Sequence, residues 1–299
     1  MVNSSNSLTV VMPTYRRETV LLEAIRQLLA LTPPPAEIVV VDQTERHESA
    51  IAEALAAWDA QGCIRWLRRS APSIPEAMNA GLLAARQQVV LFLDDDIRPD
   101  CGLVAAHLAA HGHDDLVAGQ VLQPGEGPEP LAAGERFRFN STAPAAIGEF
   151  MGGNFSVKRK VALALGGFDE NFIGAAYRFE AEFAHRYTQK HGAIRFEPAA
   201  SIHHLQVPSG GTRAYGHHLR TLKPVHSVGE YYYLLRVRPP GWWMKILRRP
   251  LRAIRTRHHL CQPWWIPLTL LAEARGFAQA ALLAVQGPKF IGRNQDLSP

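Results

Sequence analysis

Three consecutive carboxylates, Asp94, Asp95 and Asp96, follow five apolar residues, Val89 to Leu93. An apolar run this short, closed by a polar cluster and then Pro99, predicts a buried parallel strand with an acidic carboxyl end. Charges at such a place are costly unless something pairs with them. Alternation along a strand sends Asp94 and Asp96 one way and Asp95 the other. Two oxygen ligands on one side suit a hard divalent cation, which would in turn hold nucleotide phosphates. The same residues also read as a solvated acidic turn that opens a helix at Pro99.

Two later stretches carry further candidates. Residues from about Tyr177 to Lys190 read as a helix in which Phe179, Phe183 and Tyr187 recur every four positions and form its buried side. Arg178, Glu182 and Arg186 recur in the same way, which suggests a surface ion-pair ladder. Glu180 has only Ala176 and Ala184 at that spacing. A carboxylate beside a phenylalanine face and without a basic partner has a raised pKa, as a general base needs; an ordinary exposed glutamate is the plainer reading. His203 and His204 end a short apolar stretch, where an imidazole can ligate a metal or touch a diphosphate. Neighbours on a strand face opposite ways, so one of the two reaches any site, and a packing role is the alternative for either.

The elements that must position these residues alternate. Leu8–Met12 reads as a strand, Glu18–Leu31 as an amphipathic helix stopped by Pro33, Pro34 and Pro35, and Ile38–Val41 as a second strand ended by Asp42. A helix near Ser49–Asp59 and a strand near Cys63–Leu67 follow. Ser73 would cap the next helix, with Glu76 at the capping-box position. Beyond the acidic triplet come a helix over Pro99–His111, a strand over Leu116–Leu122, an exposed loop and an edge strand at Arg136–Phe139. Glycines 152 and 153 precede a short strand, Lys158–Leu165 reads as a helix, and short strands flank Pro198. Such alternation implies an α/β fold with a mostly parallel central sheet flanked by helices. Ligands of such sheets gather beyond the carboxyl ends of the strands, where Tyr15, Asp42 and Asp94–Asp96 all fall. The glycine-rich dinucleotide fingerprint is absent after Met12, which counts against an ordinary dehydrogenase.

Composition is that of a soluble globular chain, 47% hydrophobic and 20% charged. The three cysteines form no paired motif, which points to a reducing compartment. The N-terminal residues lack the regions of a signal peptide, and no run of eighteen apolar residues predicts a membrane-spanning helix. The net charge of +5 is unevenly spread: residues 1–211 carry −6 and residues 212–299 carry +11. In the basic part, Arg248, Arg249, Arg252 and Arg255 interleave with Trp242, Trp243, Leu247 and Leu251, and Pro250 is expected to interrupt any helix. That pattern fits an interfacial helix on anionic lipid, and equally a helix packed on the rest of the molecule. No nucleic-acid reading motif accompanies the charge, so no nucleic-acid partner is expected.

Taken in order, several motifs resemble a family-2 glycosyltransferase of the GT-A fold. They are Val11-Met-Pro-Thr-Tyr-Arg16, Val40-Val-Asp42, Ser73 to Gly81, Phe92-Leu-Asp-Asp-Asp96, Gly152-Gly-Asn154, Gly167-Phe-Asp-Glu170, and Pro198 followed by His204. The resemblance covers roughly residues 8–235 and implies a GT-A catalytic domain; with the charge division, the expected organisation is a GT-A catalytic domain over residues 1–211 and a helical basic extension over residues 212–299. It implies an inverting transfer from a nucleotide-diphosphate sugar to a glycan or lipid-linked acceptor, assisted by Mn or Mg. Pro13, Thr14, Tyr15, Arg16 and Asp42 would line the nucleoside pocket, Asn79 would approach the donor, and Asp95 would lie near the ribose. Asp94, Asp96 and His204 would meet the metal, the outer carboxylates matching the family's Asp-x-Asp motif. Gly152, Gly153 and Asn154 would border the sugar or acceptor. The family's Glu-Asp catalytic pair stands six residues before an arginine. Here Arg186 places Glu180 at the second position and Phe179 at the first, so Glu180 is the candidate base and its partner is missing. The expected setting is the cytoplasm, at the inner face of a membrane if the tail binds lipid, with a cell-surface polysaccharide as one product class. A non-catalytic sugar-nucleotide binder or assembly protein that keeps the fold is the competing reading, and a metal-dependent nucleotidyltransferase fits the later motifs less well.

Overall fold

The computed structural model describes residues 7–131, 134–216 and 221–292. The chain runs β1 (Leu8–Thr14), α1 (Thr19–Leu29), β2 (Glu37–Asp42), α2 (Ser49–Ala60), β3 (Arg65–Arg68), α3 (Ile74–Ala84) and β4 (Val89–Leu93). It continues through β5 (Ile97–Pro99), α4 (Leu103–Ala110), β6 (Leu116–Leu122), β7 (Ala145–Ile147), β8 (Asn154–Lys158), α5 (Arg159–Ala164), α6 (Phe179–His191) and β9 (Ile194–His204). Four helices close it: α7 (Val228–Val237), α8 (Trp242–Ile254), α9 (Arg257–Cys261) and α10 (Trp265–Gln286).

The strands form one sheet in the order β3-β2-β1-β4-β8-β6-β9-β5, with β7 paired to β9. The half around β1 is parallel, as the alternation of elements demands. Beyond β4 the sheet is mixed, because β8 runs antiparallel to both β4 and β6. Alternation in the buried strands divides the core. Val11, Val90 and Phe92 face α3, α5, α6 and α7, while Val10, Met12, Leu91 and Leu93 face α1, α2 and α4. Parallel register sets Thr14 opposite Asp42 and Val11 opposite Phe92, so β1, β2 and β4 end at one rim. Strand order reverses between β1 and β4, the place where open α/β sheets leave a crevice.

Several expectations change. Residues 97–99 pair antiparallel with the end of β9, Ile97 against His204, so α4 begins at Leu103 and not at Pro99. The stretches on either side of Pro198 are one strand, β9. Its register against β6 jumps from Gly119–Glu197 to Gln120–Ser201, and the jump absorbs the proline. Arg136–Phe139 is not a strand; Phe137 and Phe139 instead pack their rings against Phe196. Ser73 caps α3 through the Glu76 N–H, but its own N–H donates to Gln43, so the capping box is half formed. Helix α8 passes through Pro250 without ending. α10 is 22 residues with a mean hydropathy of 1.3 over its most apolar stretch, long and apolar enough to cross a membrane. One side of it, Ala272, Glu273, Gly276 and Ala280, is buried, and it packs against α7.

Candidate functional site

At the rim a cleft of about 340 Å³ opens between the ends of β1 and β4, the start of α6 and the segment after β9. Pro13, Thr14, Tyr15, Asp94, Asp95, Asp96, Gly152, Gly153, Glu180 and His204 line it, which brings most of the sequence candidates together. Arg17, Arg213 and Tyr215 join them without having been singled out in the sequence, and Gln43, which follows Asp42, lines it as well.

Pairing of β5 with β9 carries His204 to the acidic triplet, and the Leu205 N–H donates to the Asp96 carbonyl at 2.8 Å. Ligand atoms of Asp94, Asp96 and His204 lie within 4.8 Å of one another. Asp96 divides its oxygens. Oδ2 accepts from Arg17 Nη2 and from the Val207 N–H, each at 3.0 Å, while Oδ1 faces His204 Nε2 at 3.2 Å. Asp94 Oδ2 stands 3.9 Å from the same Nε2. Nδ1 of His204 meets Gln123 Oε1 at 2.9 Å, which keeps a proton on Nδ1 and turns Nε2 toward the carboxylates. Two carboxylate oxygens from the segment after β4 and one imidazole nitrogen from the end of β9 fit a hard or borderline divalent ion such as Mn or Mg. His203 faces the other way, toward Asp100 at 3.6 Å.

Charge in this corner is balanced by a buried residue. The Arg17 side chain is 4% exposed, and its Nε donates to Asp95 Oδ1 at 3.1 Å. Its Nη1 donates to the carbonyls of Val207 and Ser209 in the segment after β9. Thr14 Oγ1 donates to the other Asp95 oxygen at 2.7 Å. Burial pushes the Asp96 carboxyl up, but the His204 hydrogen bond, Arg17 and the Val207 N–H together hold it below the usual range. Desolvation by the cleft raises Asp94, whose side chain stays half exposed, with His204 opposing. The hydrogen bond to Asp96 raises His204 against the effect of burial.

Glu180 sits in the first turn of α6 and opens into the same cleft. It forms no ion pair among the described residues, and burial pushes its pKa up to about 7. Phe179, beside it, is buried against Phe168 and closes the cleft floor next to Gly152. Glu182 does not belong to a surface ladder. It is 1% exposed and held by Arg186 at 2.8 Å, while Arg178 turns to Glu230 and Glu149. Asp169 is likewise committed, accepting from Tyr232 Oη at 2.7 Å and from the Lys289 N–H.

Four expected site residues do not line the cleft. Asp42 is buried and satisfied by Trp66 Nε1, His47 Nε2 and the Thr44 N–H, all within 2.9 Å. Asn79 ties α3 to the turn after α5, exchanging hydrogen bonds with the Phe168 backbone at 2.8 Å in both directions. Asn154 is consumed by the carbonyls of Gln120 and Ala200 and by His107. Arg16, at φ 53°, points outward to Glu45 and stacks over Tyr15. A second hollow of about 500 Å³ lies at the opposite end of β4, lined by Arg86, Gln88, His111 and Lys158, and holds none of the acidic candidates.

An α/β sheet with a carboxylate–histidine cluster at its reversal point has the architecture of the GT-A fold. The model of the glycosyl transferase family 2 matches residues 9–182, and the chain belongs to that family. No curated protein matches the sequence. Among solved structures it is similar to GalNAc-T7 with UDP, GalNAc and Mn2+, at 18% identity and a TM-score of 0.56 over 81% of this chain and 54% of that one. It is also similar to residues 1–349 of S. aureus TarS in complex with UDP-GlcNAc, at 15% identity and a TM-score of 0.55, covering 81% and 66%. A third is the mannosyltransferase PcManGT from Pyrobaculum calidifontis in complex with GDP-Man and Mn2+, at 21% identity and a TM-score of 0.52, covering 93% and 79%. The chain thus spans only 54% and 66% of the first two, and identities this low establish the shared fold alone.

Proposed function

We propose that the protein is an inverting glycosyltransferase that moves a hexosyl group from a nucleotide-diphosphate sugar to a hydroxyl of a glycan or lipid-linked acceptor. The observation that carries the reading is geometric: Glu180, without an ion pair among the described residues, opens into the same cleft as the Asp94–Asp96–His204 cluster. The names of the solved relatives include UDP, UDP-GlcNAc and GDP-Man, which supports a nucleotide-sugar donor here. Tyr15 and Tyr215 offer aromatic faces for the base, and Thr14 and Gln43 polar contacts beside it.

Asp94, Asp96 and His204 would hold Mn or Mg. When bound, the ion supplies Lewis-acid stabilisation of the diphosphate leaving group. The rest falls to the chain's own residues. Glu180, deprotonated, accepts the proton of the acceptor hydroxyl as its oxygen attacks the anomeric carbon opposite the departing diphosphate. Arg213, whose Nη1 lies 4.0 Å from Asp96 Oδ2, faces the cleft and offsets the charge that develops. Phe179 and Met151 exclude water from the acceptor side. A lipid-linked acceptor would set the reaction at the inner face of a membrane, with a cell-surface polysaccharide as the product class.

The test is turnover of UDP-, GDP- and dTDP-sugars with manganese by the wild type and by Glu180→Gln and Asp96→Ala. Loss of transfer in both, with Glu180→Gln still showing a donor-induced thermal shift, supports the enzyme. Donor binding without turnover in the wild type favours the non-catalytic binder, whose motive is Phe179 at the position of an expected acid.

A further inference from the structure

We infer that α8 is a docking helix for an anionic lipid bilayer. No residue of this thirteen-residue helix is buried, although it is firmly attached. On one side Ile246 packs on the core, and Arg249 lies over the Tyr231 ring and 3.5 Å from Glu273. The opposite side carries Trp243, Leu247 and Leu251, spaced four apart and 54%, 66% and 58% exposed, with Met244 beside them. Lys245, Arg248, Arg252 and Arg255 form the adjoining stripe, exposed and without an ion pair among the described residues. The helix therefore shows three faces: one anchored, one apolar and open, one cationic and open.

Charge selects the occupant. The cationic stripe forms no ion pair among the described residues, and the acidic residues described beyond Gly211, Glu230 and Glu273, pair with Arg178 and Arg249. A second copy seated on the same ridge would bring like charges together. A lipid surface with anionic headgroups answers both open faces at once: the leucines enter the acyl boundary, Trp243 sits at headgroup depth, and the arginines meet lipid phosphates. Arg249 also donates to the His226 carbonyl, and His226 Nε2 contacts the Gly216 carbonyl just past Tyr215, so the docked helix is joined to a wall of the cleft. The docking does not rest on the transfer chemistry, because it is read without donor or acceptor.

Flotation of the full chain with vesicles of phosphatidylcholine alone, and of phosphatidylcholine mixed with phosphatidylglycerol, tests the inference. Binding is expected to the mixed vesicles only, and to weaken with salt. Leu247→Glu and the double variant Arg248→Glu/Arg252→Glu are expected to weaken it roughly tenfold or more, at an unchanged melting temperature and donor-induced thermal shift. Absence of binding at low salt, or equal binding to neutral vesicles, overturns the inference. So does self-association of the wild type that Leu247→Glu abolishes, which would make a second copy the occupant.

Discussion

In the proposed transfer, Glu180 carries the heaviest chemical demand on a single side chain. Its pKa of about 7 means that the reactive, deprotonated form grows in as pH rises through neutrality. The rate of transfer should therefore climb with pH up to about 7 and then level, as a pH–rate profile at saturating donor would show. Glu180→Gln should lower the rate about 100-fold or more with little effect on donor affinity. The same burial has an opposite sign for stability. A folded pKa raised from 4.5 contributes stability that is present below the ordinary value and lost as pH rises through about 7. Glu180→Gln should thus raise the melting temperature at pH 8 and leave it unchanged at pH 4. That Glu180 lacked a partner was legible from Ala176 and Ala184. That Glu182 is internal was not, because its Arg186 spacing is the same on a surface helix as on a buried one. Arg17 illustrates the other limit. The sequence shows that buried carboxylates need a cation, but a contact between residues 78 positions apart leaves no local signature.

At the scale of elements, apolar runs and their terminators gave β2, β4 and β6 nearly to the residue and β1 two residues short at its end. What escaped depends on pairing between distant strands. β5 is three residues long and exists because β9 lies beside it; β9 passes Pro198 because β6 lets the register slip at Gly119. Those two features bring His204 to Asp96, so the metal-binding potential of the histidine follows from tertiary pairing. Asn79 shows how a family motif can serve the frame. It joins α3 to the turn at Phe168 through buried hydrogen bonds, and Asn79→Ala should cost about 2 kcal/mol in urea unfolding by leaving backbone groups unsatisfied. Gly153 has a different task. A Cβ there would overlap the Asp94 carboxylate, so Gly153→Ala should weaken manganese binding, measured by calorimetry, with a small change in melting temperature.

Across the whole molecule, the C-terminal segment is stitched to the central sheet and its helices. Tyr231 and Tyr232 of α7 lie in the core, and past α10 the chain returns to add Ile291 N–H to the Gly166 carbonyl and the Glu170 N–H to the Lys289 carbonyl. Gly211–Tyr215, at the start of the basic segment, also helps to wall the cleft. The uneven charge of the sequence therefore maps onto one body with an acidic mouth and a cationic flank. Within that mouth, Arg17 already compensates Asp95 and Asp96 through contacts made by the chain alone. The proposed metal would consequently load a site that is already folded. EDTA should leave the melting temperature of the free protein nearly unchanged, yet erase the added stability that a nucleotide sugar confers with manganese, roughly 2–3 kcal/mol at a hundredfold excess over Kd. The polypeptide would emerge from synthesis with its architecture finished, and ion supply would set how much of the standing pool is at work without changing how much survives.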